Sequence, residues 1–191
     1  MTTANALTTL RIILIVPFIY FLGEGRYGLA FGVFFAASVT DFFDGYVARR
    51  FNQQTSLGRI LDPLADKVLV TAAYIVMAIA HASLPSIPIW LAVAVIGRDL
   101  LILLGALVLL LLTKQREFQP SFISKANTMA ELGFIQYFLI VYAFDLLAPL
   151  RILKPFCYVI VLVTVLLSGV DYVGKGIGML RAGSTGEKVG V

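Results

Sequence analysis

Four aspartates lie within one short stretch of a chain that is otherwise mostly hydrocarbon. The stretch reads Asp41-Phe-Phe-Asp44-Gly45-Tyr-Val-Ala48-Arg49, then eight residues, then Gly58-Arg-Ile-Leu-Asp62-Pro-Leu-Ala-Asp66. On a helix, spacings of three and four put each pair on one face, with Cβ atoms about 5–6 Å apart. Carboxylates crowded at the mouths of apolar helices repel one another and resist desolvation, and divalent metal is the simplest remedy. Hard oxygen donors in this number suit Mg²⁺ or Mn²⁺, and two ions sharing Asp41, Asp44, Asp62 and Asp66 can clamp a diphosphate and its leaving oxygen. The competing reading is solvated charge at helix ends, paired with Arg49, Arg50 and Lys67.

The neighbours of the aspartates fit phosphate chemistry. Gly45 and Gly58 remove side chains where a nucleotide can approach the backbone, Ala48 keeps that face thin, and Arg49 offers a fork of donors to a phosphate. The same small residues also serve simple close packing of membrane helices. Pro63 is expected in the first turn of its helix, where a missing amide hydrogen costs little.

Positioning these residues falls to long apolar segments. The chain has 191 residues, 60% of them hydrophobic, against about 45–50% in ordinary soluble domains. The expected fold is an all-α integral membrane protein with six transmembrane helices, near 8–22, 27–48, 59–80, 88–112, 126–148 and 155–174. Each has about the length needed to cross. Asn5 and Thr8 are expected to cap a short interfacial segment at the N-terminus. Turn residues mark the breaks: Gly23-Glu-Gly25, Asn52 to Ser56, Ser83 to Pro88, Phe118-Gln-Pro120 and Pro149. The polar connection Arg50 to Leu57 makes the second and third helices antiparallel neighbours, so that their acidic faces can meet. Residues 1–181 read as a single membrane domain and 182–191 as a flexible tail. Met1 to Asn5 carries no basic run, so the first apolar segment is expected to be retained.

Placing the N-terminus, the 49–59 loop, the 114–125 loop and the tail on one side gives that side eleven Lys and Arg residues against three on the other. The positive-inside rule then puts both termini and the aspartates at the cytoplasmic face of the membrane. Cys157 is the only cysteine, so no intrachain disulfide forms, and His81 has no second ligand near it in sequence. Gly97 and Gly105 are candidates for a close helix contact. Nothing in the charge pattern calls for nucleic acid.

The aspartate segment resembles the signature of the CDP-alcohol phosphotransferases, D-x2-D-G-x2-A-R-x8-G-x3-D-x3-D. All eight fixed positions are met, by Asp41, Asp44, Gly45, Ala48, Arg49, Gly58, Asp62 and Asp66. The six-helix pattern and Asn5-x-x-Thr8-x-x-Arg11 extend the likeness over nearly the whole chain. The resemblance implies a homodimer of six-helix subunits, with a cavity open to the cytoplasm and two Mg²⁺ or Mn²⁺ ions in each subunit. It implies metal binding by Asp41, Asp44 and Asp62, with Asp66 both a metal ligand and the general base. Asn5, Gly45, Ala48, Arg49, Thr55 and Gly58 would hold the CDP part of CDP-diacylglycerol, and an alcohol acceptor would displace CMP.

The second half bears on the acceptor. Arg98-Asp99 lies inside the fourth apolar segment, where an unpaired guanidinium costs several kcal/mol. It reads either as a structural pair or as an acceptor phosphate site. Lys125, in Pro120-Ser-Phe-Ile-Ser-Lys125-Ala-Asn-Thr128, reads as a second acceptor contact or as an ordinary cytoplasmic lysine. Phosphatidylglycerophosphate synthases of the family typically carry Arg-Glu, a second Arg eight residues later, and G-K-x-K-T. Here the positions read Arg98-Asp99, Ala106 and Ser124-Lys125-Ala-Asn-Thr128. That pattern looks more like the CMP-forming cardiolipin synthases, which use phosphatidylglycerol, and glycerol 3-phosphate is the second choice. A cation or proton transporter is the alternative from another class. Transporter sites usually sit at the midplane between repeated halves, and no repeat is visible here.

Overall fold

The computed structural model describes the backbone of residues 3–51, 58–79, 84–113 and 121–185, with side chains described within 13–40, 67–79, 84–106 and 121–178 except Asp145. The described chain is helical, in the order α1 Thr3–Gly23, α2 Tyr27–Phe51, α3 Gly58–Ile79, α4 Ile89–Thr113, α5 Phe122–Ala143, a 3-10 helix Asp145–Leu153, and α6 Lys154–Thr185. Two compact units form, Met1–Ala92 with Leu132–Lys154, and Val93–Glu131 with Pro155–Val191.

Two described stretches are long and apolar enough to cross a membrane, Ile89–Ala106 and Leu146–Gly178. Only 22% of each is buried in the protein, which separates them from the core helices of a soluble domain. Val93, Leu103, Leu104, Leu166 and Val170 all point outward. Apolar side chains facing out along so much of a helix need a hydrocarbon solvent.

Several boundaries differ from the sequence expectation. The N-terminal segment is one unbroken helix from Thr3, so Asn5 and Thr8 lie within it rather than ahead of its start. Arg50 belongs to the last turn of α2, and residues 52–57 lie outside the described residues. Because α3 opens at Gly58, Pro63 is its sixth residue and not part of the first turn. Its missing N–H therefore removes the bond to the Arg59 carbonyl, one turn back. The fifth helix starts four residues early and stops at Ala143, where extended Phe144 breaks it and a 3-10 helix containing Pro149 follows. The last helix continues to Thr185, beyond the expected tail boundary at Ala182.

In the first unit, α1 packs against both α2 and α3. Phe18 and Phe34, both fully buried, meet with ring centroids 5.3 Å apart, beside the small residues Ala30 and Ala37, which let the backbones approach. Tyr74 of α3 packs on Phe134 at 5.9 Å, and Tyr27 of α2 on Tyr142 at 5.7 Å. Tyr142 also carries the Arg151 guanidinium 4.8 Å above its ring and accepts a 3.0 Å hydrogen bond from Lys154 Nζ. Tyr137 donates to the Leu150 carbonyl at 2.7 Å, so two tyrosines of α5 hold the 3-10 helix.

The turn between α1 and α2 is a Schellman motif. The Arg26 N–H reaches back to the Phe21 carbonyl at 2.8 Å and the Gly25 N–H to Leu22 at 3.1 Å. Gly25 takes φ 71°, the left-handed conformation this cap needs. A Cβ on Gly25 would stand 2.7 Å from Leu84 Cδ2, whereas one on Gly23 meets nothing within 4 Å. Gly25→Ala is therefore expected to destabilise the protein by about 1–2 kcal/mol and lower its thermal midpoint in detergent. Gly23→Ala should leave the midpoint unchanged or slightly raised. Equal midpoints for the two variants would refute the strain at Gly25.

Candidate active site

The tight turn after α1 reverses the chain, so residues equally far from it on α1 and α2 share one end of the pair. Asn5 lies eighteen residues before Gly23, and Asp44 seventeen after Tyr27. At 1.5 Å per residue both fall about 26 Å from the turn. The start of α3 follows after only the six residues 52–57, so Asp62 and Asp66 belong to the same end. Backbone geometry thus gathers Asn5, Asp41, Asp44, Gly45, Ala48, Arg49, Gly58, Asp62 and Asp66 at one end of α1, α2 and α3. Thr55 and His81 lie outside the described residues.

Helical backbone runs unbroken through both aspartate pairs, so the registers i,i+3 and i,i+4 hold as expected. Eight carboxylate oxygens offered from two consecutive helices make a hard donor set, and that set suits Mg²⁺ or Mn²⁺. Among the described side chains no three His, Cys, Asp or Glu are grouped to hold a metal. The four aspartate side chains are not among them.

The second unit holds a buried polar knot. Arg98, tenth in α4, is 6% exposed. Its Nη1 donates to Asp99 Oδ1 at 2.8 Å, its Nη2 to Ser124 Oγ of α5 at 2.8 Å and to Ser168 Oγ of α6, and its Nε to Ser168 Oγ at 3.2 Å. Four of the five guanidinium N–H groups are thereby used within the protein. The structural pairing of Arg98 with Asp99 is present, and α5 and α6 are drawn into it. An apolar groove of about 580 Å³ runs between α4 and α6, lined by Arg98 together with Ala94, Leu101, Val165, Gly169 and Val173 among others. Gly105, rather than Gly97, makes the close helix contact. A Cβ there would stand 2.8 Å from Tyr172, whose hydroxyl donates to the Ile102 carbonyl at 2.9 Å.

The first turn of α5 is built by Ser121. Its Oγ accepts the Ser124 N–H at 3.1 Å, an N-cap that starts the helix at Phe122. From there the inward face of α5 carries Ser124, Asn127 and Glu131, at spacings of three and four. Asn127 and Glu131 are buried, at 0% and 1% exposure, and Asn127 Nδ2 donates to Glu131 Oε1 at 2.6 Å. Lys125 lies off that face and is exposed. Sequence reading singled out Lys125 for its charge. It passed over Asn127 and Glu131, whose signal was their spacing from Ser124 inside an apolar helix.

Comparison with known proteins bears on what this arrangement does. Residues 1–170 match the family model described as CDP-alcohol phosphatidyltransferase. The chain is 35% identical over 147 residues to the cardiolipin synthase (CMP-forming) of Rattus norvegicus, covering 69% of this chain and 47% of that protein. It therefore spans about half the length of the rat relative. It is 30% identical over 181 residues to the probable phosphatidylglycerophosphate synthase of Mycobacterium tuberculosis, covering 91% of this chain and 81% of the relative. It is 31% identical over 184 residues to the CDP-diacylglycerol–glycerol-3-phosphate 3-phosphatidyltransferase of Aquifex aeolicus, covering 94% and 98%. The family match contains all eight signature positions on α2 and α3, so the resemblance read from those residues holds, and the chain belongs to the CDP-alcohol phosphatidyltransferase family.

Proposed function

We propose that this transferase moves the phosphatidyl group of CDP-diacylglycerol to phosphatidylglycerol, forming cardiolipin and releasing CMP. The reaction class is supported by the family match and by the helical registers of the aspartates. The observation that carries the acceptor is the engagement of Arg98. With four of its five N–H groups committed, it has one left for a substrate. A phosphodiester, singly charged and already esterified, suits such a site better than the dianionic phosphate of glycerol 3-phosphate. Exposed Lys125 supplies the second acceptor cation. Glycerol 3-phosphate remains the second reading, favoured by relatives from M. tuberculosis and A. aeolicus that align over 91% and 94% of the chain.

In this reading Asp41, Asp44, Asp62 and Asp66 would hold two Mg²⁺ or Mn²⁺ ions, which when bound neutralise charge on the diphosphate. Asn5, Gly45, Ala48, Arg49, Thr55 and Gly58 hold the CDP group. Asp66 takes the proton from the acceptor hydroxyl. The oxygen so freed attacks the lipid-side phosphorus, and the bond from that phosphorus to the oxygen of CMP breaks, its electron pair leaving with CMP. All six α-helices cross the membrane, with both termini and the aspartates cytoplasmic, and residues 1–181 act as one domain in a homodimer. The lengths of α1, α2, α3 and α5, from 21 to 25 residues, support six crossings.

Product analysis by mass spectrometry after incubation with CDP-diacylglycerol tests the acceptor directly. Cardiolipin should form from phosphatidylglycerol, and phosphatidylglycerophosphate should form poorly from glycerol 3-phosphate. The reverse preference would overturn the acceptor, and no CMP from either would overturn the reaction. Asp66→Asn is expected to lower kcat by about 10² or more while retaining CDP-diacylglycerol binding. Asp41→Ala should abolish product and weaken the dependence on divalent metal.

Arg98→Ala takes the guanidinium from a buried ion pair, a loss of about 3–5 kcal/mol. Thermal melting in detergent should fall accordingly, and the surviving enzyme should show a modest rise in KM for phosphatidylglycerol. An unchanged midpoint with a large rise in acceptor KM would make Arg98 chiefly a substrate ligand.

A further inference from the structure

The end of the first unit opposite the aspartates carries charge of its own. Tyr27 opens α2 just after the capped turn and packs on Tyr142 near the end of α5, so the two tyrosines mark that end. Asp44 lies seventeen residues further along α2, about 26 Å away at 1.5 Å per residue. Arg151 in the 3-10 helix and Lys154 at its C-terminal cap both lie on Tyr142. The guanidinium is 4.8 Å from the ring centroid and the ammonium 5.5 Å. Stacking on a ring occupies the face of a guanidinium and leaves its donors, which lie along the edge, directed sideways. The segment from Asp145 to Lys154 sets these two cations against one carboxylate. Such a pair suits phosphate, since Arg brings a fork of donors and Lys a point charge with three more.

The apolar side chains of the same segment favour a lipid as the source of that phosphate. Leu146 is 90% exposed and Ile152 83%, and Leu153 is exposed beside them. Alkyl groups turned outward next to cations have the make-up of an element lying in the membrane interface. There the alkyl groups enter the acyl chains, tyrosines sit at headgroup level, and long basic side chains reach the phosphates. Free inorganic phosphate has no use for the leucines and isoleucine. The cations are also presented at fixed places. Tyr137 donates to the Leu150 carbonyl at 2.7 Å and Lys154 Nζ to Tyr142 Oη at 3.0 Å. We infer that Arg151 and Lys154, braced on Tyr142, bind the phosphate of an anionic phospholipid, with Leu146, Ile152 and Leu153 seated among the acyl chains around it. The site lies wholly within the first unit and is independent of the acceptor proposed above.

The test titrates full-length protein in detergent, without divalent metal, and counts bound lipid by native mass spectrometry. The probes are dioleoyl phosphatidic acid, dioleoyl phosphatidylcholine and inorganic phosphate. Wild type should hold phosphatidic acid about tenfold or more tightly than phosphatidylcholine, and inorganic phosphate at the same concentration should not displace it. Arg151→Gln combined with Lys154→Gln should weaken phosphatidic acid by about tenfold or more and leave phosphatidylcholine unchanged. Arg151→Lys combined with Lys154→Arg keeps both charges and should keep the preference. If the double glutamine variant does not fold, Lys154→Met, which keeps the length of the side chain, should still cost about fivefold. Leu146→Ser with Ile152→Ser changes only exposed side chains and should weaken both lipids alike. A preference for phosphatidic acid that survives loss of both cations belongs to other basic parts of the chain and would overturn the inference. Displacement of the lipid by inorganic phosphate, or equal binding of the two lipids by wild type, would overturn it as well.

Discussion

A guanidinium in the middle of an apolar helix is the constraint around which the second unit is arranged. A guanidinium carries its charge into any surroundings, and hydrocarbon offers it nothing. It is tolerable only because Asp99 neutralises it and because hydroxyls from α5 and α6 complete its coordination. Serine suits both positions, being small enough to sit against the fork and able to accept from it. Three helices are thereby held at fixed rotation about one side chain. Dispersion between smooth apolar surfaces would leave such rotation loosely set, since lipid packs against Leu as well as protein does.

That arrangement has a consequence for chemistry. Cationic groups near an acceptor both attract and discriminate, and a cation already satisfied does less of the first. With Arg98 committed to Asp99, Ser124 and Ser168, the proposed recognition of an acceptor would rest more on neutral hydrogen bonding and on exposed Lys125. The inward face of α5 carries Ser124, Asn127 and Glu131, the last two enclosed within the protein. The first unit instead brings the aspartate-bearing stretches of α2 and α3 to one end, and a tightly capped turn sets how α1 gives way to α2. Two different electrostatic problems are thus handled by separate groups of helices within one small chain.

The aspartate motif was legible because its information is local. Fixed residue types at helical spacing declare both the helix and its acidic face, and the family match agrees. The number of helices was legible from the length of the apolar runs. Their ends were not. Ser121 caps α5 through a hydroxyl that reads like any loop serine until the Ser124 amide is seen against it. The break after Ala143 depends on Phe144 adopting an extended conformation that its residue type does not demand. Arg98 and Asp99 are neighbours in sequence, so their pairing was foreseeable. Ser168 lies 70 residues away and carries no mark of its role. Asn127 and Glu131 were missed for the opposite reason: each is individually ordinary, and only burial makes them costly.

The character of α5 changes abruptly along its length. Beyond Glu131 its buried face turns to Phe134, Ile135, Phe138 and Leu139, all with 3% exposure or less, and aromatic rings tile the same stretch down to Tyr142. A buried water needs two or more polar partners, and this stretch of α5 sets apolar rings in their place. Water entering beside Glu131 would meet no hydrogen-bonding path along the face of Phe134, Ile135, Phe138 and Leu139.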